Sequence, residues 1–415
     1  MNSDLQNGAL AGAVAACDAI GAAMLTRLTS RLGEDSGASG NVLACPVGLA
    51  LALATLRAGA ADNGTGIDAM LGVDTDAKTR DRVWSAVQRS LQRFDVADTQ
   101  QLQDFNPEAI PETPLLHIAN NILAIGQTQP TQDYLGNAKR WYGAEVNRAE
   151  RPKAKAALDA WANLHTGGLI KESAINVTPL TRLVVQNALL FAARWAKHFN
   201  AAATAERQPF TRADGSTSRA DLMSRTGRLT FVTGPDWRAL RLRYVDGAGD
   251  SGSAGGSAAG SETLAMDVIL PRKVSSPIDL PPTTWGEATR RLTAAQTAGT
   301  TGTATTVRLR LPRLNLSSKP TDLTGVVKSL GVRLGFQDHI APDLLVGQIV
   351  QQVKLVVAEA GTVAAALTEI KIRTGAPPRP EEPIDFTVDH PYVLRIVDLT
   401  SGIALIEAAI LDPAA

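Results

Sequence analysis

The chain has 415 residues, 44% of them hydrophobic, and its 41 basic and 41 acidic side chains cancel. That length and apolar content suit a globular protein with a sizeable buried core. A neutral balance carries no electrostatic footprint for nucleic acid or for an anionic membrane. Two cysteines, Cys17 and Cys45, are too few for a disulfide framework and read as small buried hydrophobes. Scarce aromatics, with abundant Ala and Arg, suggest a GC-rich bacterial source by association.

The apolar run Gly8 to Met24 contains Asp18 and has no basic residue before it, so it reads poorly as a signal peptide or a membrane span. The chain is then expected in the cytoplasm, or outside the cell by a non-classical route. Leu10, Val14, Cys17, Met24, Leu28 and Leu32 recur at helical steps and predict a buried amphipathic helix. Pro46 suits a first helical position, and the run to about Arg57 is apolar nearly all round, which predicts a core helix. Residues 74–112 are polar with weak helical periodicity. The apolar runs 115–124 and 182–191 have the length of buried strands, and 157–170 begins as a helix and ends in a Thr-Gly-Gly turn.

From Trp237 the pattern becomes strand-like. Leu240, Leu242 and Tyr244 alternate, as do Leu264, Met266, Val268 and Leu270, and the two runs look like partners. Between them the Gly/Ser-rich stretch of about 246–262 reads as a flexible insert. Val307, Leu309 and Leu311 alternate with Arg308 and Arg310 in another one-sided strand. Tyr392 to Ile410 reads as two strands joined at Thr400-Ser401-Gly402. Helices first and strands later predict an α+β fold in one large domain over 1–415.

The five histidines are scattered without metal-ligand spacing, so neither a metal nor a cofactor is expected. Gly249-Asp250-Ser251-Gly252 resembles a protease nucleophile segment, but it sits in the Gly/Ser tract without a matched His and Asp. No catalytic residue is assigned.

The informative segment is Gly361 to Thr374. Thr362, Ala364, Ala366, Thr368, Ile370, Ile372 and Thr374 are all small or apolar. The alternate set, from Val363 to Arg373, is charged over its second half. Small residues at the leading end would let such a strand thread between two others. The Pro-rich run Ala376 to Pro383 then cannot join a sheet interior, because proline lacks the ladder N–H. On this pattern alone, an edge strand with a polyproline linker fits equally well.

Glu359-Ala-Gly361-Thr362-Val-Ala364-Ala365-Ala366 is similar to the hinge of the serpins, a family of protease inhibitors. The resemblance extends in order over most of the chain: Asn41-Val-Leu-Ala-Cys-Pro46, Ile118-Ala-Asn120, Tyr142-Gly-Ala-Glu145, Gln186-Asn187-Ala188 with Trp195, Phe199 with Thr204, Leu311-Pro-Arg313 and Asp389-His-Pro-Tyr392. It implies three β-sheets, about nine helices and an exposed reactive-centre loop of about 359–391. It also implies suicide inhibition of a serine-type protease by a monomer, in which a cut loop enters the main sheet. A non-inhibitory role, as a chaperone or ligand carrier, is the alternative. Asn187, Trp195 and Gln351 fall at the family's shutter and breach positions. Family spacing puts the reactive bond at Gly375–Ala376, with Thr374–Gly375 and Arg373–Thr374 as shorter-loop alternatives. The first two suit a protease with a small specificity pocket. The chain departs from the family pattern at Cys45 and Gly48, where Ser is usual, at Val363 and Leu367, and at Gln351, where many members carry a His that bonds the shutter Asn. A Gln351 amide is expected to serve Asn187 instead.

Overall fold

A computed structural model describes residues 3–34, 40–61, 65–73, 76–106, 108–245, 263–297, 304–318, 321–346, 348–362 and 382–414. The Gly/Ser stretch with its Gly249–Gly252 string therefore lies outside the described residues, as do 363–381.

Nine α-helices occur among the described residues: α1 (Ser3–Glu34), α2 (Pro46–Leu56), α3 (Ile67–Met70), α4 (Ala77–Leu91), α5 (Gln100–Gln103), α6 (Gln132–Tyr142), α7 (Arg151–His165), α8 (Thr284–Thr297) and α9 (Thr324–Ser329). Local chemistry sets their ends. The Asp76 carboxylate caps α4 by accepting from Thr79 N at 2.9 Å. Gly143 closes α6 at φ 59°, the left-handed conformation that glycine adopts without strain. In α1, Ala13, Cys17, Ile20, Met24 and Leu25 enter the core on one side. By length and composition that helix would also be able to cross a membrane. Both cysteines are buried and unbridged.

The strands are β1 (Val42–Ala44), β2 (Leu115–Ile125), β3 (Glu145–Ala149), β4 (Leu183–Arg194), β5 (Ala205–Thr211), β6 (Thr217–Thr233), β7 (Trp237–Arg243), β8 (Leu264–Pro271), β9 (Ala304–Pro312), β10 (Leu314–Ser317), β11 (Thr321–Asp322), β12 (Val350–Gln351), β13 (Lys354–Val357), β14 (Gly361–Thr362), β15 (Ile384–Thr387), β16 (Tyr392–Asp398) and β17 (Ala404–Ile410). They form three sheets among the described residues, as the resemblance implied. One has nine strands in the order β1-β17-β16-β8-β7-β6-β9-β15, with β5 on β6. A second has the order β10-β13-β14-β4-β2-β3, and the third pairs β11 with β12. The two runs flanking the Gly/Ser stretch are antiparallel neighbours, with Arg243 opposite Ala265.

One departure from the expected strand pattern stands out. On β7 Arg243 is exposed, but Arg241, two residues before it on the face opposite Leu240 and Leu242, is buried. It faces its cross-strand partner Asp267 at 2.7 Å and reaches Thr293 of α8 at 3.1 Å. Likewise Arg395 on β16 bonds its register partner Glu407 at 2.9 Å and the Trp285 carbonyl of α8 at 2.9 Å, and pairs with Asp18 of α1. Buried ion pairs thus join neighbouring strands, while hydrogen bonds from the same arginines hold α8 and the Arg395–Asp18 pair holds α1. Breaking such a pair costs about 3–5 kcal/mol.

Candidate functional site

The site is where β13 turns back on itself. Ala358 N donates to the Gly361 carbonyl at 2.9 Å, and Gly361 N donates to the Ala358 carbonyl at 3.2 Å. The chain then enters the sheet as β14, with Thr362 opposite Val357 of β13 on one side. On the other side Gly361 and Thr362 face Arg194 and Ala193 of β4. Only glycine fits at 361: a Cβ there would stand 2.3 Å from the Ala193 carbonyl oxygen and 2.8 Å from Arg194 Cα.

Aromatic residues hold this turn. Trp195 donates from Nε1 to the Ala358 carbonyl at 2.8 Å and from its backbone N to the Ala360 carbonyl at 3.0 Å. Tyr244 stacks on Trp195 with ring centroids 4.6 Å apart, and its hydroxyl lies 2.7 Å from Thr362 Oγ1. Thr362 is 2% exposed. Burial pushes the Tyr244 hydroxyl far above its ordinary range, so it stays protonated. Glu359 points the other way and accepts from Arg313 Nε at 2.7 Å and Thr204 Oγ1 at 2.5 Å. Burial alone would raise the Glu359 carboxyl, but these hydrogen bonds outweigh it and hold the group below the usual carboxylate range.

Beyond Ala193, β4 has no strand on its β14 side among the described residues, and β4 and β13 are nowhere paired with each other. A cavity of about 440 Å³ opens between β4 and residues 348–352, which precede β13, lined by Leu49 and Leu53 of α2, Val185 and Leu189 of β4 and Ile349. Between β4 and β13 themselves lies a smaller one of about 50 Å³, lined by Phe191, Leu355 and Thr362. Asn187 and Gln351 stand on opposite walls, and each is tied to its own side. Asn187 Nδ2 donates to Asn120 Oδ1 of its register partner at 3.0 Å. Gln351 does not bond Asn187 as expected. It accepts from Cys45 N at 2.8 Å and donates to the Cys45 carbonyl at 3.0 Å. A Cβ on Gly48 would lie 2.7 Å from Asn187 Oδ1 and 2.8 Å from Cys45 Sγ. The departures at 45, 48 and 351 thus meet in one place. A sulfur bulkier than a serine oxygen sits beside a position that has lost its side chain.

Of the residues singled out in the sequence, Glu359, Gly361, Thr362 and Trp195 come together. Asn187 and Gln351 lie further along the same gap. Ala364, Ala365, Ala366 and the reactive-bond residues Arg373, Thr374, Gly375 and Ala376 lie outside the described residues. Tyr244, Thr204 and Arg313 received no role from the sequence. Thr204 and Arg313 sat within matched strings, and Tyr244 was visible only as a strand residue.

A family model described as serpin, serine protease inhibitor, matches residues 22–413. The chain belongs to the serpin family. An uncharacterized serpin-like protein of Thermococcus kodakarensis is 26% identical over 68% of this chain and 63% of its own length. A putative serpin-Z8 of rice, Oryza sativa, is 28% identical over 94% of each chain. Among solved structures, the thermophilic serpin tengpin in its native state superposes with a TM-score of 0.73 at 17% identity, covering 99% of this chain and 95% of that one. As a serpin, the chain has a protease as its general class of partner and an inhibitory rather than an enzymatic role.

Proposed function

We propose that this serpin traps a serine-type protease as a suicide substrate. The protease serine attacks a loop carbonyl at Gly375–Ala376, or at one of the alternatives up to Arg373. The C–N bond breaks, the new amino terminus leaves with the serine proton, and an ester joins the loop to the protease. The freed loop then enters the gap between β4 and β13 as a new strand and carries the ester-linked protease with it. The observation that carries this reading is Gly361–Thr362, already laddered between those two strands at the head of an unpaired β4 edge. The small residues at 374–376 favour a target with a small specificity pocket, and the inhibitor acts as a monomer. On the sequence reading of the Gly8–Met24 run alone, its place of action is the cytoplasm, or outside the cell by a non-classical route. Composition alone supports a bacterial source.

The test is incubation with a panel of serine proteases, read on a denaturing gel. A band at the summed mass of inhibitor and protease is the expected result. Clean cleavage near 373–376 by every protease, with no such band, would overturn the reading and leave a non-inhibitory serpin.

A further inference from the structure

Four ionisable groups from four parts of the fold form a single chain. His117 on β2 places Nδ1 2.5 Å from Asp95 Oδ1, just after α4, and Nε2 2.9 Å from His165 Nδ1. His165 ends α7 and places Nε2 3.1 Å from Glu145 Oε1 on β3. The imidazoles lie in nearly parallel planes, 12° apart, and Trp161 packs on His165 with centroids 4.5 Å apart. The histidine side chains are 9% and 4% exposed, while Asp95 and Glu145 at the ends are 22% and 45% exposed. A hydrogen bond from His165, together with one from Trp161, outweighs burial and holds the Glu145 carboxyl below its usual range.

Proton counting constrains this chain. Three contacts need three protons, and an ionised carboxylate only accepts. Two neutral imidazoles bring two N–H groups. One added proton completes all three bonds, and a second would set two N–H groups against each other across 2.9 Å.

We propose that the His117–His165 pair is a pH-sensitive clasp that holds α7 to β2 and β3 when the two rings share one added proton, and loosens when they hold none or two. Among the described residues, several charged groups on the elements packed around the pair are engaged with other partners. Asp98 and Asp104 beside α5 bond Gln100, and Asp159 of α7 bonds Lys155 and the Ser173 amide. Arg151 of α7 bonds the Thr178 and Thr181 carbonyls, Arg93 pairs with Asp398, and β4 presents Leu190 opposite His117. The clasp does not rest on the inhibitory reading, although Trp161, which packs on His165, also lines the cavity beside β4.

The test is ¹⁵N NMR of the imidazoles with thermal melts across pH, on the wild type, His117→Gln and His165→Gln. Expected are two coupled titration steps shared by the rings. Expected too is a wild-type advantage in melting temperature over either variant that is largest between the steps and shrinks by several degrees on both sides. Independent single-step titration of the two rings, or an advantage constant across pH, would overturn the clasp. Should neither variant fold, the wild-type NMR decides alone.

Discussion

Thr362 Oγ1 lies 2.7 Å from the Tyr244 hydroxyl, inside the sheet that the rest of the loop would have to enter. On the proposed mechanism this pairing is the first step of insertion, made before any protease arrives, and the side chain at 362 would govern it. Thr362→Arg would place an unpaired charge among Tyr244, Trp195 and Phe191, at a cost of about 3–5 kcal/mol. The expected outcome is a variant cut at the same bond that forms no gel-stable complex. Undiminished complex formation would show that 362 stays out of the sheet.

Gly361→Ala tests the same entry through the backbone. With the Ala193 carbonyl 2.3 Å from the new methyl, one strand must shift. Overpacking of this kind costs about 1–3 kcal/mol. A lowered melting temperature together with reduced complex yield is expected. An unchanged melt would mean that Gly361 is not seated against β4.

The Glu359–Arg313 pair gives a pH signature. The Glu359 carboxyl is lower in the folded protein than the ordinary value of 4.5. Its stabilising contribution is therefore present above about 4.5 and is lost as pH falls through the folded value. Arg313 is 41% exposed, so solvent screening limits the contribution to roughly 1 kcal/mol. The melting difference between wild type and Glu359→Gln should be visible at neutral pH and close on acidification. A gap that persists in acid would contradict the assignment.

A third site concerns packing beside the gap. Gly48→Ala should destabilise the protein, because its methyl meets Cys45 Sγ and Asn187 Oδ1. Adding Cys45→Ser should recover part of the loss, since a hydroxyl is smaller than a thiol. Melts of the two single variants and the double variant measure this coupling. Strict additivity would show that the 45 and 48 departures are unrelated.

What the sequence made legible follows from where its signal is local. Apolar runs of strand length located β2 and β4, and period-2 runs located β7, β8 and β9, while the segment read as insertable lies outside the described residues. Contacts between distant segments were not legible. The alternation of Leu240 with Leu242 and of Met266 with Val268 says nothing of α8, which reaches Arg241 opposite Asp267. Gln351 was expected on Asn187, since both are amides at paired family positions. The Cys45 backbone, 306 residues away in sequence, offers it a donor and an acceptor at once. Tyr244 became a hinge residue only when the fold brought β4 and β7 to the same corner.

The most direct test of loop insertion is the melting temperature of the cut form. Insertion would bury Ile370 and Ile372, which is worth roughly 3–6 kcal/mol for the two side chains. At about 2–4 °C per kcal/mol for somewhat smaller domains, the gain is at least several degrees. The protein should be nicked by a protease it does not trap, the bond located by mass spectrometry, and the melt run beside that of the intact form. A form cut within 373–376 is predicted to melt higher than the intact chain. Equal or lower melting would contradict the insertion mechanism, even with the serpin fold intact.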